Sequence, residues 1–181
     1  MSDPRRELFG HANFRWLLGG GLLSMLGDQF TLLALPWLVM SLSNDPLVLG
    51  TVLALGSLPR ALFILVGGAL VDRHSPRAVL LLTKWINFGL LALLAGLTAH
   101  GSLTLPVVYA LTLAIGLATA FSYPAGSAIL PLAVPAALIQ PANGVLMGAR
   151  QLVMLLGPVL AGLVVSTGSE PGSPRQTGQV F

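Results

Sequence analysis

Charge is scarce in this sequence. Only nine of its 181 residues are Lys or Arg and six are Asp or Glu, so charged residues make up 8%. A soluble domain typically carries about 25%, and so few charges cannot clothe a water-facing surface. Cysteine is absent altogether, which excludes disulfide frameworks, thiolate metal sites and cysteine nucleophiles. No cluster of basic residues forms a stripe that tracks phosphates, and the net charge is only +3, so nucleic acid is not a partner. His-Glu-x-x-His, Gly-x-Ser-x-Gly and a Gly-rich loop ending in Lys-Ser/Thr are all missing, which argues against an enzyme. The three histidines, His11, His74 and His100, stand far apart in the chain, so neither a metal nor another cofactor is expected.

What remains is apolar. Hydrophobic residues make up 55% and the mean hydropathy is +0.86. These values describe an all-α integral membrane protein. A transmembrane helix needs about 20 mostly apolar residues, and five stretches qualify: 14–42, 47–71, 78–99, 105–130 and 141–167. Residues 1–13 precede them. The breaks between them carry turn chemistry at Ser43–Pro46, Asp72–Arg77, His100–Ser102 and Pro131–Gln140. The first apolar stretch is too long for a signal peptide's core. Residues 168–181 are rich in Gly, Pro and Ser and read as a disordered polar tail.

Basic residues set the orientation. Arg5, Arg6 and Arg15 precede the first span, and Arg73, Arg77 and Lys84 lie in or just after the second connection. All six fall on one side if the spans alternate, which makes the N-terminus cytoplasmic, in a bacterial inner membrane. Trp16, Trp37 and Trp85 sit near the span ends, as an aromatic belt would place them.

Three charges lie deep in the apolar stretches. Asp28 and Arg60 each stand about 12 residues into their spans, or about 18 Å deep at 1.5 Å per residue. Arg150 is about 9 residues into the fifth span, or about 13 Å deep. A charge at such depth costs at least about 2.5–3.5 kcal/mol. Asp28 and Arg60 have opposite signs at one depth, so an ion pair between the spans would offset much of that cost. Its role is either functional, in gating, proton coupling or substrate contact, or structural, fixing helix register. Arg150 has the simpler reading of lining a wet cavity or bonding to carbonyls of a kinked neighbour. Gly144-x-x-x-Gly148 has the spacing that permits close helix approach, and Pro36, Pro59, Pro124 and Pro158 favour kinks.

The second connection reads Gly68-Ala69-Leu70-Val71-Asp72-Arg73-His74-Ser75-Pro76-Arg77. It resembles the signature loop of the major facilitator superfamily, Gly-x-Leu-x-Asp-Arg-x-Gly-Arg-Arg, at the place where that family carries it. Gly68, Asp72, Arg73 and Arg77 match. The stretch Phe121–Pro131, followed by Val134-Pro135 and Ala142-Asn143, is similar to the linker between the fourth and fifth spans in the exporter branch that includes enterobactin and macrolide efflux permeases. Gly126 stands there in place of that branch's usual Arg. Gly157-Pro158-Val159-Leu160-Ala161-Gly162 resembles the end of the family's antiporter motif, with Ala161 in place of a Gly.

The resemblance implies a secondary transporter that exports a small-molecule substrate by alternating access, with a proton as coupling ion. It implies a gate at Gly68, Asp72, Arg73 and Arg77, cavity charges at Asp28, Arg60 and Arg150, and a fifth span shaped by Gly157, Pro158 and Gly162. Members of the family bind substrate between two six-helix halves. Five spans correspond to an incomplete N-terminal half, whose partners would be the bilayer, the substrate and the missing C-terminal half. The alternative is a non-transporting five-span remnant, or a subunit that packs its helices against another protein.

Overall fold

The computed structural model describes residues 4–73 and 75–168, and every regular element in it is helical. The order is α1 (Pro4–Gly10), α2 (Ala12–Ser43), α3 (Pro46–Arg73), α4 (Pro76–Ala99), α5 (Leu105–Ala128), α6 (Leu130–Ala133), a 3-10 turn (Ala136–Leu138) and α7 (Ile139–Gly168). Five helices, α2, α3, α4, α5 and α7, are long and apolar enough to cross a membrane. The chain is an all-α integral membrane protein. The polar tail beyond Gly168 lies outside the described residues, as does His74.

The helices run further than hydropathy alone delimits. α3 continues through Arg73 and α4 begins at Pro76, so most of the expected connection 72–77 is helical. Within the expected linker 131–140 stand most of α6, the 3-10 turn and the start of α7. A short helix, α1, occupies the segment before the first span.

Local chemistry sets these boundaries. Asn44 ends α2 in the left-handed region at φ 49°, which Asn tolerates better than most residues. Asp45 then caps α3, its Oδ1 accepting from the Leu47 N–H at 2.8 Å, and Pro46 takes the first helical position, where its missing N–H costs nothing. Gly101 closes α4 at φ +66°. The Gly101 N–H reaches Thr98 O and the Ser102 N–H reaches Leu97 O, both at 3.1 Å, which is the Schellman arrangement.

Packing centres on α5. Its inward face carries Val108, Thr112, Gly116, Ala120 and Ala125, all buried, against α3 on one side and α4 on the other. α2 packs chiefly on α7. Two apolar clusters hold the ends. Val39, Val52, Leu103 and Val108 pack at one end of the bundle. At the other, Leu8 of α1 and Phe14 of α2 pack with Leu130, Val134, Leu138 and Ala142, so α1 clamps the linker that leads into α7.

The close helix approaches are not at Gly144 and Gly148. Both are exposed, and a Cβ built at either meets nothing within 4 Å. The approaches lie between α3 and α5. A Cβ at Gly116 would fall 2.6 Å from Gly56 O, and one at Gly67 would fall 2.8 Å from Ala120 O. Pro124 has no N–H, so the Ala120 carbonyl that faces the bare backbone of Gly67 lacks its usual helical donor. Lipid supplies no hydrophobic drive between helices, so this backbone-to-backbone fit holds them together.

Gly116→Ala tests that fit. Overpacking costs about 1–3 kcal/mol, and each kcal/mol shifts the melting temperature of a domain this size by about 2–4 °C. Gly116→Ala is expected to melt several degrees lower in detergent, whereas Gly96→Ala, with nothing within 4 Å of its Cβ, is expected to match the parent.

Candidate functional site

Four of the five spans carry a charge well inside their length: Asp28, Arg60, Lys84 and Arg150. Asp28 stands at the centre of α2, sixteen residues after Ala12 and fifteen before Ser43. Arg60 stands at the centre of α3, fourteen residues after Pro46 and thirteen before Arg73. Each is therefore about 20 Å or more from either end of its helix. Both side chains are exposed on the five-helix bundle. Pro59, beside Arg60, deprives the Leu55 carbonyl of its helical donor, which adds a polar group one turn away.

The third charge is Lys84. Its place in the sequence reads as the flank of a basic connection, but α4 begins at Pro76 with no intervening loop, so Lys84 lies eight residues inside a span. Its Nζ donates to Ser24 Oγ. Ser24 and Asp28 are one turn apart on the same face of α2, so the flexible stem of Lys84 brings its ammonium to within about one helical turn of Asp28. Beside the expected Asp28 and Arg60, Lys84 is a third charge within the spans, and the three make a triad carried on α2, α3 and α4. Asn87, one turn beyond Lys84 on the same face of α4, has a buried Oδ1 with no hydrogen-bond partner.

Arg150 is exposed, eleven residues into α7. Gly157 is buried, and a Cβ there would fall 2.8 Å from Cγ of Gln29. Gly157 thus admits α7 against α2 beside Asp28. Pro158 and Gly162 are exposed, and a Cβ at Gly162 meets nothing within 4 Å. Ala161, 1% exposed, is the buried residue of that turn.

The loop residues gather at one end of the bundle. Arg73 is the last residue of α3 and Arg77 the second of α4, and both are exposed. Arg73 suits the negative end of the helix dipole. Asp72 lies in the last turn of α3. Gly68 is half-buried without a close neighbour, and Gly67 is the glycine that packs on α5.

A family model of the Major Facilitator Superfamily matches residues 17–173. The chain belongs to this superfamily. It is accordingly a transporter-type membrane protein, with the five described spans fitting part of the superfamily fold. No curated protein and no solved structure matches the chain. Within this superfamily member, sequence reading missed Lys84, Ser24 and Asn87. Two uncharged polar residues inside apolar runs give little signal. Lys84 was the legible one: Pro76 at a first helical position puts residue 84 two turns into the span.

A double-mutant cycle checks the triad. Lys84→Met and Asp28→Asn are each expected to lower the melting temperature in detergent. Together they are expected to cost less than the two singles combined, by at least about 0.5 kcal/mol. Additive losses would show that the two charges do not interact.

Proposed function

We propose that the chain forms one wall of a secondary-active exporter that moves a small molecule across the membrane by alternating access. Asp28, Arg60 and Lys84 make up its central polar site. The observation that carries this reading is the exposure of Asp28 and Arg60 halfway along their helices. Charges at that depth face bundle interiors or water-filled cavities, not lipid. They call for a second wall, which we assign to the C-terminal half of a longer transporter. The exporter assignment follows the likeness of the 121–143 stretch to efflux permeases.

Roles follow from position. Asp28 carries the coupling proton, because it is the acidic residue at the centre of a span. Arg73 and Arg77, with Asp72, form a gate at the end of the bundle that carries the N-terminus. That end is cytoplasmic in this reading, because Arg6, Arg15, Arg73 and Arg77 all cluster there. Gly157 keeps α7 close to Asp28, so movement of α7 is felt at the site. Arg150 lines the lower part of the same cavity.

The test uses cells that express the complete reading frame containing this chain, loaded in turn with a cationic, a neutral and an anionic fluorescent dye. At least one dye is expected to leave faster than from control cells. Asp28→Asn, at equal abundance in the membrane, is expected to slow that efflux by about tenfold or more, equivalent to about 1.4 kcal/mol in the barrier. Unchanged efflux with unchanged pH dependence would remove Asp28 from the mechanism.

A further inference from the structure

One face of α2 is cut away near the end of the bundle that carries the N-terminus. An open-sided cavity of about 500 Å³ lies there, lined by Arg15, Trp16, Gly19, Gly20 and Leu23. All five residues are exposed, Trp16 at 82% and Leu23 at 74%. Residues 15, 19 and 23 form one row along the helix, and 16 and 20 form the next. The two glycines take the side chains out of both rows, and a Cβ built at either meets nothing within 4 Å. Their bare backbone admits a ligand at close range. Depth decides what kind of ligand. α2 has 32 residues and is about 48 Å long, whereas the hydrocarbon core is about 30 Å thick. With Asp28 near the midplane, about 9 Å of the helix at each end stands in the headgroup layer. Arg15 follows Ala12 by three residues and falls in that layer, with Trp16 beside it. Gly19, Gly20 and Leu23 lie within the hydrocarbon. The cavity therefore crosses from headgroup level to acyl-chain level.

We propose that this cavity binds an anionic phospholipid, with the phosphate on Arg15 and one acyl chain laid along Gly19, Gly20 and Leu23. A guanidinium offers the planar fork that matches phosphate geometry. Trp16 stands at the depth where indole rings anchor among headgroups. The charge of this end selects the headgroup: Arg6, Arg15, Arg73 and Arg77 stand here against Glu7 and Asp72, and basic residues flanking a span attract anionic lipid. The volume lies within the range of small-ligand sites, about 300–1,000 Å³. A helix of another protein would meet Leu23 and the glycines and leave Arg15 without an anion, whereas a phospholipid suits both ends of the cavity. The site is separate from the central charges. Leu23 and Asp28 are five residues apart, which turns them about 140° from each other around α2. The lipid thus leaves the face of Asp28 free, and the proposal stands independently of the transporter reading.

Native mass spectrometry of the purified full chain, released from a neutral detergent, decides the matter. The probes are phosphatidylglycerol, phosphatidylcholine with the same acyl chains, and inorganic phosphate. Phosphatidylglycerol is expected to be retained at least about fivefold better than phosphatidylcholine, the factor that one basic residue contributes at a membrane surface. Inorganic phosphate is expected not to displace it. Arg15→Gln is expected to lower its retention about fivefold, whereas Arg77→Gln, the same charge change at the same end but outside the cavity, leaves the adduct in place. Gly20→Leu fills the cavity and is expected to lower retention of both lipids. Both substituted positions in α2 are exposed, and unchanged circular dichroism checks that the variants fold. Equal retention of the two lipids with no effect of Arg15→Gln marks an ordinary annular lipid and overturns the proposal. An adduct that survives Gly20→Leu, no adduct at all, or displacement by inorganic phosphate each overturns it as well. A lipid-free dimer that Gly20→Leu disrupts assigns the cavity to a protein helix instead and overturns it too.

Discussion

The hydrocarbon core of a membrane offers no hydrogen bonds and almost no screening, and both the architecture and the chemistry of this protein answer to that constraint. Backbone groups must be satisfied within each segment, which is why all regular structure among the described residues is helical. Helices cannot be driven together by burying apolar surface when lipid is equally apolar. They associate where their backbones touch, at Gly56 against Gly116 and at Gly67 against the freed carbonyl of Ala120. A proline that would be a defect in a soluble helix is here part of the joint, because the carbonyl it releases finds the backbone of a glycine.

The same constraint gives the central charges their meaning. A carboxylate, a guanidinium and an ammonium inside three spans are costly unless they serve one another and something else. Lys84 donates to Ser24, one turn from Asp28 on α2, and Arg60 stands at the centre of α3. Gly157 lets α7 lean on Gln29, the residue next to Asp28. The surroundings of Asp28 thus involve α2, α4 and α7, with Arg60 on α3. The charged residues thus stand on several spans of this member of the Major Facilitator Superfamily rather than within one element.

Much of this was legible in the sequence and some of it was not. Span number and helical class follow from hydropathy, since five long apolar runs separated by Asn-Asp-Pro, Ser-Pro and His-Gly-Ser have one reading. Asp28 and Arg60 stood out because charge is rare in such runs. Helix α1 was not legible, because Leu8 and Phe9 are too short an apolar signal and become informative only when Leu8 meets Val134 and Leu138. The packing glycines were hidden for a different reason. Gly144 and Gly148 have the spacing of a contact pair and face no partner, while Gly56 and Gly116 lie sixty residues apart. A close approach belongs to two helices at once, and one helix's pattern does not reveal its partner. Lys84 shows the limit of sorting basic residues by nearness to a loop: where a helix starts at the loop's edge, eight residues are already about 12 Å of depth.

The central claim is that the charged face at mid-membrane opens to water rather than to lipid. The cysteine-free chain allows a direct test in intact membranes. Ser24→Cys places a thiol beside Lys84, Leu93→Cys places one on the opposite face of α4, and Ser102→Cys in the exposed turn reports reagent access. A membrane-impermeant methanethiosulfonate, which reacts with hydrated thiolates, is predicted to label Cys at 24 and at 102 and to spare Cys at 93. If Cys at 24 resists the reagent from both sides while Cys at 102 is labelled, the charged face is sealed from water and the account is contradicted.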